Sequence, residues 1–158
     1  MKIGIIGIGN VGLQVLKDIQ SNVKINKFLS VEKILVRDKG KYLKILESEF
    51  GSKSSVLKKL TDDFNNFIDS DIDTVVELIG GSDPAKDYVI KALNSEKNVV
   101  TANKEIVASS IEDLTSLAHS KKVKIRFEAA VGAGIPLIEV LIDMLNQNKI
   151  SKITGIIN

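Results

Sequence analysis

Apolar positions fall into two alternating kinds of run along this chain. Short, nearly continuous blocks at Lys2–Ile6, Val31–Arg37, Thr74–Ile79, Asn98–Thr101 and Val123–Phe127 suit strands buried in a parallel sheet. Between them apolar residues recur at helical spacing. Val11, Val15, Leu16 and Ile19 mark a helix ending near Ser21-Asn22, and Tyr42, Ile45, Leu46 and Phe50 mark another ending at Gly51. Asp83 suits an N-cap and Pro84 a first helical residue for a helix carrying Ala85, Val89 and Leu93. Ser109 and Glu112 read as a capping box for a helix with Ile111, Leu114, Leu117 and Ala118 inward. Pro136–Leu145 reads as a further helix and Lys152–Ile157 as a last extended segment. The pattern is weakest over Ser52–Ser70, where a short strand near Val56–Leu60 and a helical turn over Phe64–Ile68 are expected. Strands separated by helices of about ten residues imply right-handed crossovers. The expected fold class is therefore α/β, with a doubly wound, mostly parallel sheet. Ligands bind such sheets at the carboxyl ends of the strands, where the strand order reverses.

Composition narrows the chemistry. The 158 residues include no Cys and a single His, which excludes a disulfide scaffold, a cysteine nucleophile and thiolate metal sites, and disfavours a histidine-rich metal centre. Basic and acidic residues nearly balance at 22 and 20, and there is no Trp, so neither charge nor stacking platforms point to nucleic acid. No uncharged apolar run approaches the ~18 residues that span a bilayer, and glycines break the apolar start Met1-Lys2-Ile3-Gly4-Ile5-Ile6. The chain reads as cytoplasmic. All basic residues but Arg37 and Arg126 are lysine, which makes those two positions conspicuous. His119 draws no chemistry, and Asp62-Asp63 reads as a helix cap rather than a metal site.

Gly7-Ile8-Gly9-Asn10-Val11-Gly12 is a GxGxxG turn placed between a buried-type strand and an amphipathic helix. Gly7 permits the tight turn, Gly9 lets a pyrophosphate approach the backbone, and Gly12 lets the helix pack on the strand. The helix N-terminus adds free N–H groups, so Gly7, Gly9, Asn10, Val11 and Gly12 are candidate dinucleotide contacts. The end of the second strand, Arg37-Asp38, bears on which nicotinamide cofactor binds. An arginine there can clasp a 2′-phosphate, whereas an acid accepts hydrogen bonds from free ribose hydroxyls. With Lys39 and Lys41 adjacent, NADP(H) is favoured and NAD(H) is the alternative.

Three longer blocks follow: Val75-Val76-Glu77-Leu78-Ile79-Gly80-Gly81 with Pro84-Ala85, then Asn98-Val99-Val100-Thr101-Ala102-Asn103-Lys104, then Glu128-Ala129-Ala130-Val131-Gly132-Ala133-Gly134-Ile135-Pro136. Together with the glycine turn, this series closely resembles the nucleotide-binding part of homoserine dehydrogenases, from the turn to Asn158. The resemblance implies a Rossmann-like NAD(P)-binding fold. It also implies the family's reaction, the reversible reduction of aspartate 4-semialdehyde to homoserine with NAD(P)H, in the branch leading to threonine and methionine.

Residue by residue, the resemblance implies that Gly80 and Gly81 lie along the ribose–nicotinamide side of the cofactor. Lys104 would contact cofactor and substrate and take part in proton transfer, for which a partly desolvated ammonium is suited. Glu128, with backbone carbonyls at Val131, Ala133 and Ile135, would hold sodium or potassium. Many family members have glycine where this chain has Ala133, a departure that matters if φ there must be positive. Residues 1–134 would form the NAD(P)-binding domain and 135–158 the start of a truncated catalytic and dimerisation domain, the full enzyme being a homodimer. The alternatives are a non-catalytic NAD(P)-binding module or sensor, and a related amino-acid dehydrogenase.

Overall fold

The computed structural model describes residues 1–147 and 149–155. Lys2–Ile6 forms strand β1, whose side chains point alternately to two faces. Ile3 and Ile5 enter one core with Leu16, Ile34 and Leu46, while Ile6 enters the other with Phe67, Val75 and Val89. Gly4 faces the second core because Phe67 fills the space beside it, a Cβ there lying 2.6 Å from the ring. Burial on both faces is what makes these strands continuous in apolarity.

The chain order is β1, α1 (Asn10–Ser21), α2 (Val23–Asn26), β2 (Ser30–Leu35), α3 (Lys39–Phe50), β3 (Leu60–Thr61), α4 (Phe64–Ile68), β4 (Thr74–Glu77), α5 (Ala85–Asn94), β5 (Asn98–Thr101), α6 (Lys104–Ser120), β6 (Ile125–Arg126) and α7 (Ile138–Gln147). The strands make one six-stranded parallel sheet in the order β3-β2-β1-β4-β5-β6. Helices α1 and α3 cover one face, and α4, α5 and α6 the other. This is the expected doubly wound, Rossmann-like architecture. The order reverses between β1 and β4, where Ile6 pairs with Glu77, so a crevice opens above those two carboxyl ends.

Several boundaries depart from the sequence reading. Helix α6 starts at Lys104, not at the Ser109–Glu112 box, because Asn103 caps it by accepting from the Glu105 and Ile106 amides. Ser109 lies inside the helix and donates back to the Glu105 carbonyl. Asp83 and Pro84 do not start α5 as expected: the first helical residue is Ala85, and no side chain caps it. The strand expected near Val56–Leu60 is a 3-10 turn, Ser55–Lys59, which the Ser54 hydroxyl initiates by accepting from the Val56 amide. Only Leu60-Thr61 pairs with β2. Strands β2, β4 and β6 end earlier than their apolar runs, α7 begins at Ile138, and α2 is too short to show a helical period in the sequence. No strand forms over 152–155, and the remainder of the expected Lys152–Ile157 segment lies outside the described residues.

Candidate functional site

At the carboxyl end of β1 the chain turns through Gly7 at φ +87°, a conformation that disfavours any Cβ. A Cβ at Gly12 would lie 2.1 Å from the Gly7 carbonyl oxygen, so only glycine lets α1 pack this closely on the turn. Gly9 is the opposite case: it is exposed, and nothing lies within 4 Å of where its Cβ would be. Asn10 and Val11 are exposed beside it. Gly9 is the N-cap of α1 and gives it no side-chain cap, leaving the positive end of the helix dipole facing the crevice. The turn therefore has the shape and polarity that a pyrophosphate requires.

Arg37 is exposed two residues past the end of β2. Asp38 is committed locally, its Oδ1 accepting the Lys41 amide at 2.9 Å as the cap of α3. Asp63 likewise caps α4, as expected of the Asp62-Asp63 pair. Among the described residues no group of three acidic, His or Cys side chains gathers to hold a metal.

A cleft of about 270 Å³ lies beside the turn, lined by Val11, the Leu78–Gly81 segment and the Ala102–Glu105 segment. It unites the GxGxxG helix, Gly80-Gly81 and Lys104 around one space. Lys104 is the first residue of α6 and is exposed, so this chain does not itself supply the partial desolvation expected there. Beneath the cleft lies Glu77, fully buried at 0% exposure. Its Oε1 accepts the Ile79 amide at 2.8 Å and its Oε2 accepts the Thr101 hydroxyl at 2.5 Å. Burial pushes the Glu77 carboxyl above the usual carboxylate range, against the lowering effect of these two hydrogen bonds.

Glu128 lies apart from the cleft's lining, in a loop of two 3-10 turns, Glu128–Ala130 and Gly132–Gly134. Its Oε1 accepts the amides of Leu137 (2.5 Å) and Ile138 (3.0 Å), and its Oε2 accepts that of Glu139 (3.1 Å). The carboxylate thus closes the N-terminus of α7. Three of its roughly four lone-pair directions are used, which leaves room for one cation contact through Oε2. Positive φ in this loop falls on Gly132 (+70°) and Gly134 (+98°), which flank Ala133. Val131 is half-buried and Ile135 is 65% exposed.

A family model described as the NAD-binding domain of homoserine dehydrogenase matches residues 7–128. The chain belongs to the homoserine dehydrogenase family. The Bacillus subtilis homoserine dehydrogenase is 34% identical across 100% of this chain, and this chain covers 36% of that protein's length. The Neisseria gonorrhoeae homoserine dehydrogenase is 44% identical over 61% of the chain and 22% of its own length. A solved homoserine dehydrogenase from Thiobacillus denitrificans superposes with a TM-score of 0.77 at 34% identity, over 92% of this chain and 33% of that one. Within this homoserine dehydrogenase NAD-binding domain, every residue lining the cleft falls inside the matched segment, whereas Val131, Ala133 and Ile135 lie beyond it.

Glu77, Thr101 and Asn103 stand within the motif blocks without an assigned role. A signal for them is the acid standing directly after Thr74-Val75-Val76 in a strand otherwise fit for burial. A carboxylate in such a run is retained only with partners of its own.

Proposed function

We propose that this domain binds a nicotinamide dinucleotide across the β1/β4 crevice and serves the homoserine dehydrogenase reaction, the interconversion of L-homoserine and L-aspartate 4-semialdehyde. The observation that carries this reading is the convergence of an uncapped helix N-terminus, the Gly80-Gly81 segment and Lys104 on one cleft at the point where strand order reverses. The backbone at Gly9, Asn10, Val11 and Gly12 holds the pyrophosphate, and Gly80 and Gly81 border the nicotinamide ribose. Arg37 grips a 2′-phosphate, a role supported by the engagement of Asp38 in capping α3. NADP(H) is accordingly favoured, with NAD(H) the alternative. When bound, the nicotinamide supplies or accepts the hydride.

Lys104 Nζ delivers a proton to the aldehyde oxygen as the carbonyl carbon takes the hydride, and removes it in the reverse direction. Glu128 Oε2 with the carbonyls of Val131, Ala133 and Ile135 would hold sodium or potassium, hard cations that prefer oxygen. The substrate, a homodimeric full enzyme and a cytoplasmic location are carried from the family resemblance and form part of the same proposal. The second reading, a binding module without turnover, is favoured by the exposure of Lys104.

Fluorescence titration with NADPH and NADH tests the binding claim: saturable binding is expected, with Arg37→Ala weakening NADPH selectively. Absence of binding by either nucleotide overturns the reading, and equal effects on both overturn the role of Arg37. A homoserine oxidation assay separates the two readings, since turnover by this chain excludes the binding-only one.

A further inference from the structure

Strand β4 carries its acid at a position with no solvent exposure. Glu77 stands opposite Ile6 on one side and Thr101 on the other. The hydrogen bonds that compensate its burial run in one direction. Thr101 has a single hydroxyl proton, which it gives to Glu77 Oε2, so its oxygen is left to accept the Asn103 amide at 3.0 Å. The Asn103 side chain then faces two ways. Its Nδ2 donates to the carbonyls of Ile79 (2.9 Å) and Gly81 (2.7 Å), while its Oδ1 accepts from Glu105 (3.1 Å) and Ile106 (3.3 Å) at the start of α6. One wall of the cleft is the segment after β4, the other is the N-terminus of α6, and this side chain holds both. Ile79 also packs its Cγ2 over Gly7, where a Cβ would come within 2.3 Å of it, so the network reaches the glycine turn as well.

Ordinary helix capping does not account for this arrangement. Asn22, Asp38 and Asp63 cap their helices from exposed positions and bond only to residues immediately following them. Asn103 is buried at 5% exposure and bridges to residues 22 and 24 positions away in sequence. We infer that Glu77, Thr101 and Asn103 form a buried brace that sets the spacing between the two walls of the cleft, an assignment that rests on the dinucleotide reading of that cleft. The three are then positioning residues for the dinucleotide and for Lys104.

The test uses Asn103→Asp, Thr101→Val and Thr101→Ser, with NADPH titration and amide hydrogen exchange as readouts. Asn103→Asp keeps an oxygen to cap α6 but loses the donors to Ile79 and Gly81. It is expected to weaken NADPH binding by about tenfold or more, since two buried hydrogen bonds are lost and a carboxylate oxygen is set against the two carbonyls, while exchange at Glu105 and Ile106 is unchanged. Thr101→Val should weaken binding comparably and speed exchange at the Ile79 amide, which Thr101 does not touch; Thr101→Ser should restore both to within about twofold. Parent-like NADPH affinity in both Asn103→Asp and Thr101→Val overturns the brace, as does an unchanged Ile79 amide in Thr101→Val. That exchange arm needs no nucleotide, so failure of the brace is distinguishable from failure of the parent to bind NADPH. Should Thr101→Val not fold, Asn103→Asp decides alone, because its cap is retained.

Discussion

Helices α1 and α7 are opposites. Helix α1 buries Gly12, Leu16 and Ile19 and leaves its N-terminus without a side-chain cap. Helix α7 has no buried residue, exposing Val140, Ile142, Met144 and Leu145, while its N-terminal amides are closed by Glu128. An amphipathic pattern is present in both, so the pattern alone does not report burial. What distinguishes them is that α1 is locked to the sheet by a glycine contact too close for any side chain, and a helix held that firmly can leave its dipole open for a ligand.

The largest expected effect tests the burial side of this contrast. Leu16→Ala should destabilise the domain by about 2–5 kcal/mol, through lost transfer energy and a residual cavity. Leu145→Ala, at 60% exposure, should stay within about 0.5 kcal/mol. Urea unfolding measures both, and equal losses would erase the contrast. Next comes the lock itself: Gly12→Ala drives a methyl onto the Gly7 carbonyl and should cost about 1–3 kcal/mol, with loss of nucleotide binding in the same titration. Binding at parent affinity would show that α1 need not sit where it does. Smaller again is Glu128→Ala, which frees three amides at the start of α7 and should cost about 1 kcal/mol, visible as reduced helical circular dichroism.

The smallest effect concerns Glu77 and is a matter of sign. Its folded-state pKa is raised above the ordinary 4.5, so the folded chain binds the proton more tightly than the unfolded one. Its contribution to stability is complete below 4.5 and is lost as pH rises through the folded-state value. The difference in melting temperature between parent and Glu77→Gln should therefore shift against the parent as pH rises over that window. A shift in the parent's favour would mean that the two hydrogen bonds outweigh burial and lower the carboxyl's pKa instead.

Much of this architecture was legible because burial on both faces of a parallel sheet writes itself as unbroken apolar runs, of which Ile3-Gly4-Ile5-Ile6 and Val75-Val76 are examples. The glycine turn was legible for a different reason, since backbone proximity tolerates one residue type only. Starts of helices were harder to read. Ser109 and Glu112 have the spacing of a capping box, yet Asn103 caps the helix upstream of both, and local spacing cannot say which cap tertiary contacts will use. The brace was hidden because its members are scattered over residues 77–103 and meet only through the β4–β5 register.

The β1–β4 register, in turn, joins two half-sheets, β3-β2-β1 and β4-β5-β6, along a seam from Ile3–Thr74 to Ile6–Glu77. The crevice stands at the end of this seam. A ligand lying across it would act mechanically as a clasp, adding its contacts to a join already made by the β1–β4 ladder and by the shared packing of Ile6 and Leu35 with Phe67 and Val75. Binding would then show itself as a higher melting temperature for the whole domain, since both halves share their cores across the seam.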